Sequence, residues 1–150
     1  MKTIRVSLFR PSLMPRILDI ETACFPEEPY SEELFREYYA KCPELFLVGW
    51  QARRVAGYSI TCVGASRAEL ISIAVAPEHR RTGIAQALLD RTVRALSTSG
   101  VGQFDLMVRA TGEAAITFYR KNGFEKRRTI RNYYHDGAAG IRMSRSLRPH

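Results

Sequence analysis

Three features of the sequence predict an α/β fold, with a mixed central β-sheet flanked by helices on both faces. Short apolar segments alternating every second residue recur along the chain, as at Ile4, Val6, Leu8 and again at Phe104, Leu106, Val108. Between them lie stretches of helical spacing, clearest in Ala85, Leu88, Leu89, Thr92, Val93 and Leu96. The resulting order is β, α, α, β, β, β, α, β, α, β, β, with no repeat, low-complexity segment or linker. At 150 residues the chain suits one domain, spanning 1–150, with one core.

The elements follow in order. Residues 3–9 alternate as a first strand. Pro11 and Ser12 open a helix whose face carries Leu13, Ile17, Ile20 and Cys24, and Pro26 and Pro29 end it. Ser31 is an expected N-cap for a second helix, because its hydroxyl can accept an orphan backbone N–H. Glu32 and Glu33 then suit the positive end of the helix dipole. Residues 45–51 and 55–63 read as two strands joined at Arg53-Arg54, and 68–75 as a third that stops at Pro77. The helix beginning near Ala85 ends around Ser97-Thr98-Ser99-Gly100. After the strand through Phe104, a helix over 113–122 closes on Gly123, which tolerates positive φ. Strands over 124–133 and 140–147 complete the chain.

Composition narrows the function classes. The hydrophobic fraction is 45% and the charged fraction 25%, ordinary for a soluble globular protein. No apolar run approaches the roughly 18 residues of a membrane span, and Lys2, Arg5 and Arg10 interrupt the opening, so no signal peptide is expected. Cys24, Cys42 and Cys62 form an odd set without C-x-x-C spacing, and read as reduced thiols of a cytoplasmic protein. No His/Cys/Asp cluster has metal-ligand spacing, so no metal is expected. The net charge of +8, concentrated late in the chain, favours an anionic partner or is simply a solvated surface. With no RRM, KH, zinc-finger or helix-turn-helix signature, nucleic acid is not the expected partner.

The most informative stretch is Ser72-Ile73-Ala74-Val75-Ala76-Pro77-Glu78-His79-Arg80-Arg81-Thr82-Gly83-Ile84-Ala85. A strand runs into a short basic turn and then directly into an amphipathic helix. The first N–H groups of a helix lack internal partners and, with the dipole, form an anion site. Gly83 and Ala85 leave room for a close ligand, and Arg80 and Arg81 add charge. The residues alone allow either a pyrophosphate cradle or an ordinary strand-helix turn. Neither G-x-x-x-x-G-K nor G-x-G-x-x-G is present.

The loop resembles the acetyl-CoA-binding motif of the GNAT acetyltransferases, R/Q-x-x-G-x-G/A, here Arg80-Arg81-Thr82-Gly83-Ile84-Ala85 behind a Val75-x-Pro77 lead-in. A second stretch is similar too: Leu106-Met107-Val108-Arg109, then Ala114-Ala115-Ile116-x-Phe118-Tyr119-x-Lys121-x-Gly123-Phe124. The resemblance implies acetyl-CoA as co-substrate. It places the pantetheine arm against the backbone of Ile73, Ala74 and Val75, and the pyrophosphate on the N–H groups from Arg81 through Thr82, Gly83 and Ile84 to Ala85. Arg80, Phe118 and Lys121 complete the implied cofactor contacts. One N–H near Val75 would form a small oxyanion hole.

Tyr119 holds the family's general-acid position, where it would protonate the departing thiolate; otherwise it is a core aromatic beside Phe118. Glu69 opens the strand before the loop, on the face of Ile71 and Ile73. Its spacing resembles that of the glutamate base in histone-type members, and the alternative is a strand-end surface carboxylate. His79 reads as a solvated turn residue, and His135 and His150 offer little.

Within the family the chain looks most like the RimI-type protein N-terminal acetyltransferases, through Phe25-Pro26, Tyr30-Ser31-Glu32, Ser72 to Val75 and Ile130-Arg131-Asn132-Tyr133-Tyr134. The resemblance implies that Glu28, Tyr30, Tyr133 and Tyr134 line the acceptor groove, although the last two could equally be packed across a hairpin. Three departures stand out: Met107 replaces the usual glutamate of L-E-V-R, Gly112 replaces an asparagine, and 136–140 lacks the usual acidic pair. A thioether takes no proton at neutral pH. A weak base suits an α-amine, with a pKa near ~8, better than a lysine near ~10.4. The expected acceptor is therefore a protein N-terminus. A small amine, polyamine or aminoglycoside, a protein lysine, and a CoA-binding module without catalysis are the alternatives.

Overall fold

A computed structural model describes residues 3–148; His150 lies outside them. The strands are β1 (Ile4–Leu8), β2 (Phe46–Gln51), β3 (Arg54–Val63), β4 (Arg67–Val75), β5 (Gln103–Arg109), β6 (Glu125–Ile130) and β7 (Gly140–Ser146). The helices are α1 (Met14–Cys24), α2 (Glu32–Lys41), α3 (Ile84–Ser99) and α4 (Glu113–Lys121). The sheet is seven-stranded in the order β1-β2-β3-β4-β5-β7-β6. It is mixed: β4 runs parallel to β5, while β1–β2, β2–β3, β5–β7 and β6–β7 are antiparallel.

The chain divides into two compact units. One runs to Cys62 and resumes over Ser72–Ala95; the other takes Val63–Ile71 and the residues from Leu96 on.

In the first unit, helices cover both faces of the strands. Phe35 of α2, wholly buried, packs edge-on to Tyr58 at 5.5 Å and tilted to Phe46 at 6.2 Å. The opposite face carries Gly49 and Gly57, paired in register between β2 and β3. A Cβ on Gly49 would stand 2.9 Å from Cγ2 of Ile84, and one on Gly57 3.1 Å from the same atom. These glycines let the first turn of α3 sit down on the sheet. Ser31 caps α2 as expected, accepting from the Leu34 N–H at 3.1 Å, a contact of about 1 kcal/mol.

The cysteine expectation is overturned in this unit. Cys42 and Cys62 form a disulfide, with Cα atoms 5.2 Å apart and a sequence separation of 20. Cys42 caps α2 and Cys62 lies near the end of β3, so only the folded chain brings them together. Cys24 alone is a free thiol. His79 also departs from expectation. The 3-10 turn Pro77–His79 carries its ring inward, 8% exposed, where Nδ1 meets Oε1 of Gln51 at 2.5 Å.

In the second unit, Phe104 of β5 and Phe124 pack 5.4 Å apart beside Tyr119 of α4. Asp105 is buried on the other face of β5, held by Ser144 at 2.6 Å, Gln103 at 2.7 Å and Arg142 at 3.3 Å. Such a carboxylate is tolerated because its oxygens are occupied. β6 ends earlier than the sequence suggests, because Asn132 turns to φ 51° within the following loop. Glu125 to Thr129 are all exposed, and the β6–β7 register shifts between Lys126 and Arg128. Gly123 has the expected positive φ, 88°.

Candidate active site

The basic loop of the first unit turns sharply between β4 and α3. After the 3-10 turn, Arg80 is extended, and Arg81 and Gly83 adopt left-handed φ of 63° and 91°. The Thr82 hydroxyl donates to the His79 carbonyl and ties the loop across its base. The Gly83 carbonyl accepts from Ala87 at 3.0 Å, so α3 begins directly behind it. Ile84 is buried under the sheet glycines, while Arg80 and Arg81 are exposed and Ala85 half-buried. Ile73 and Val75 are half-buried on β4, and Ala74 between them is buried.

The C-terminal end of α1 meets this strand. Cys24, last residue of α1, donates its thiol to the Val75 carbonyl at 3.2 Å, and the Arg80 guanidinium reaches the same sulfur at 3.6 Å. Glu28 is exposed. Tyr30 is half-buried, its ring 5.7 Å from Phe35 and 6.1 Å from Tyr38.

The second unit holds the other predicted residues. Tyr119 is 8% exposed, against Phe118 and Phe124. Burial, and then the neighbouring Tyr134, hold its phenol well above the ordinary tyrosine value. It is thus a hydrogen-bond donor throughout the neutral range. Phe118 is half-buried and its carbonyl accepts from Asn122 at 2.9 Å, while Lys121 is exposed. Glu69 is half-buried on β4, in register with Asp105 of β5.

Tyr133 and Tyr134 meet edge-on at 4.9 Å, Tyr133 remaining 45% exposed. They are neighbours in the loop between β6 and β7, and the Tyr133 ring packs against Gly140 at the start of β7, so part of the hairpin-packing alternative holds. The loop is organised by Arg109, a motif residue to which the sequence assigned no role of its own. Arg109 lies 4.3 Å over the Tyr134 ring and bonds the Asp136 carboxylate at 3.0 Å. Asp136 also accepts from the Ala138 N–H at 3.0 Å, and both contacts lower its pKa, the backbone N–H most. Met107 follows the same surface: a Cβ on Gly140 would lie 2.8 Å from its ε-methyl and 3.1 Å from the Tyr133 ring. Its side chain therefore packs against β7 at Gly140, beside the Tyr133 ring.

Among the described residues no group of His, Cys, Asp and Glu could hold a metal ion, and no helix is long and apolar enough to cross a membrane. A groove of about 400 Å³ lined by Arg16, Trp50, Arg53 and Arg54 contains none of the predicted site residues.

The profile of the acetyltransferase (GNAT) family matches residues 14–124. The chain belongs to that family. It is 39% identical over 84 residues to the [ribosomal protein bS18]-alanine N-acetyltransferase of Escherichia coli K12, covering 56% of this GNAT chain. That match spans 57% of the relative's length, so little more than half of the curated enzyme is covered. Two crystal structures extend the likeness. The Ard1 protein of Thermoplasma volcanium superposes with a TM-score of 0.93 at 26% identity, covering 97% of this chain and 99% of that one. The ribosomal-protein-S18-alanine N-acetyltransferase of Escherichia coli gives 0.87 at 30% identity, covering 99% and 96%. The mixed seven-stranded sheet is the GNAT fold.

Proposed function

We propose that this GNAT member transfers the acetyl group of acetyl-CoA to the α-amine of a protein N-terminus. The observation that carries the acceptor is the near full-length likeness to a ribosomal-protein-S18-alanine N-acetyltransferase. Met107 in place of an acid supports it, because an α-amine near pKa ~8 needs less help to lose its proton than a lysine near ~10.4.

In this reading the loop Arg80 to Ala85 holds the pyrophosphate on backbone N–H groups, with Arg80 and Arg81 adding charge. The backbone of Ile73, Ala74 and Val75 carries the pantetheine arm, assisted by Phe118 and Lys121. The neutral amine attacks the thioester carbonyl, forming the C–N bond and an oxyanion that an N–H near Val75 stabilises. Collapse breaks the C–S bond. Tyr119 donates to the departing thiolate, and the ammonium proton leaves through Glu69 or bulk water. Glu28, Tyr30, Tyr133 and Tyr134 receive the acceptor peptide. The family match runs through residues of both units, which supports one catalytic domain over 1–150. We infer a cytoplasmic reaction from such an acceptor alone, since the Cys42–Cys62 disulfide removes the reduced-thiol argument for it.

The test is acetyl transfer to peptides with free or blocked α-amines, with and without lysine, read by mass spectrometry. Products confined to free α-amines support the proposal. Products only on lysines, or on small amines alone, reject the acceptor. Acetyl-CoA binding without any transfer would leave a CoA-binding module and reject the activity.

A further inference from the structure

Glu21 sits among the apolar residues of α1, one residue after Ile20, and is only 2% exposed. Burial raises its carboxyl pKa, and an apolar side chain would have filled the site without that cost. Both ends of the segment between α1 and α2 return to this residue. Its backbone carbonyl accepts from the Phe25 N–H at 2.8 Å, and its Oε2 accepts from the Tyr30 N–H at 2.9 Å. Residues 26–29 between those two bonds are all exposed. Oε1 accepts from the Tyr58 hydroxyl, and that hydroxyl lies 3.1 Å from Oγ of Ser72, next to Ile73 on β4.

We propose that Glu21 is a positioning residue that closes the α1–α2 segment into a fixed loop presenting Glu28 and Tyr30 to the acceptor. Through Tyr58 it sets that loop against the strand assigned to the cofactor. The inference rests on the acceptor reading above. Glu21 touches neither substrate; it acts through the Tyr30 backbone. Residues 26–29 include two prolines, Pro26 and Pro29, which limit the shapes the loop can take once its ends are joined.

The experiment compares Glu21→Met with Glu21→Gln in steady-state acetyl transfer to a free-α-amine peptide. Methionine fills the volume but offers Tyr30 no acceptor. Glutamine keeps one: its carbonyl can face Tyr30 while its amide donates to Tyr58, whose hydroxyl then donates to Ser72. Glu21→Met should raise the peptide KM about tenfold, the size of one charge-assisted hydrogen bond, and leave the acetyl-CoA KM within about twofold. Glu21→Gln should restore the wild-type peptide KM. A peptide KM unchanged in Glu21→Met, or both KM values rising together without rescue by glutamine, overturns the inference. If Glu21→Met does not fold, hydrogen exchange on the wild-type chain decides: Tyr30 should hold the slowest amide between residues 26 and 30, and a fast one overturns it. Wild-type protein that acetylates no peptide would instead count against the acceptor reading, and the exchange result would still judge the loop.

Discussion

The Cβ that Gly57 lacks would lie 3.1 Å from Cγ2 of Ile84 and 2.6 Å from the carbonyl oxygen of Ala74. The clash with Ala74 involves backbone and cannot be relieved by a rotamer change. Gly57→Ala should therefore destabilise the protein by about 1–3 kcal/mol, as overpacking does. Because Ile84 opens α3 directly behind Gly83, the same substitution should weaken acetyl-CoA binding. Denaturant unfolding and an acetyl-CoA titration check the two effects, and unchanged affinity would detach the glycine seat from the anion loop.

Arg109 joins the Tyr134 ring and the Asp136 carboxylate on the second unit. Arg109→Ala should raise the peptide KM about fivefold, equivalent to one exposed cation–π contact, with the acetyl-CoA KM unmoved. Asp136→Asn should act in the same direction but less, since the amide oxygen can still accept from Ala138. Steady-state kinetics with each substrate varied in turn distinguish these expectations.

Tyr119→Phe removes the hydroxyl and little else. Its kcat should fall on the order of 10²-fold, the lower end for a positioned acid, with both KM values held. The pH behaviour has a definite sign. Burial, then Tyr134, raise the Tyr119 phenol, and burial, then Glu21, raise that of Tyr58. Both stay neutral in the folded protein where unfolded tyrosines ionise, near pH ~10. Their contribution to stability is complete below pH ~10 and is lost as pH rises beyond it. Absorbance at alkaline pH should show fewer than the chain's seven tyrosines titrating before unfolding.

The Cys42–Cys62 disulfide closes a separation of 20 residues, worth about 3 kcal/mol in a chain-entropy account. Reduction should lower the thermal midpoint by roughly 6–12 °C for a protein of this size. Cys42→Ser should reproduce the loss, and Cys24→Ser should not. A midpoint indifferent to reductant would show that the bond does not form in solution.

Element order was legible because each strand and helix carries its own periodicity, and caps such as Ser31 and Gly123 act within a few residues. The strand-turn-helix passage from β4 to α3 was legible for the same reason: its parts are contiguous. Pairings over long separations were not. Nothing local marks Cys42 for Cys62, Gly49 and Gly57 for Ile84, or Arg109 for Asp136. His79 was misplaced because a polar ring in a turn reads as solvated until Gln51 is found beneath it. One signal was available and unused: Glu21 is four residues after Ile17, on the stripe that also carries Ile20, and a carboxylate in an apolar stripe asks for partners.

β6 is the last strand of the sheet, and its outer side offers unpaired N–H and C=O groups to any strand that approaches. Lys126, Arg127 and Arg128 stand together on it, at a break in register. A second copy approaching edge to edge would bring three cations against three cations across a strand that no longer lies flat. The late basic excess thus disfavours strand pairing at the β6 edge, whatever it does for anionic ligands. That repulsion is electrostatic, so it weakens as salt shortens the reach of charge.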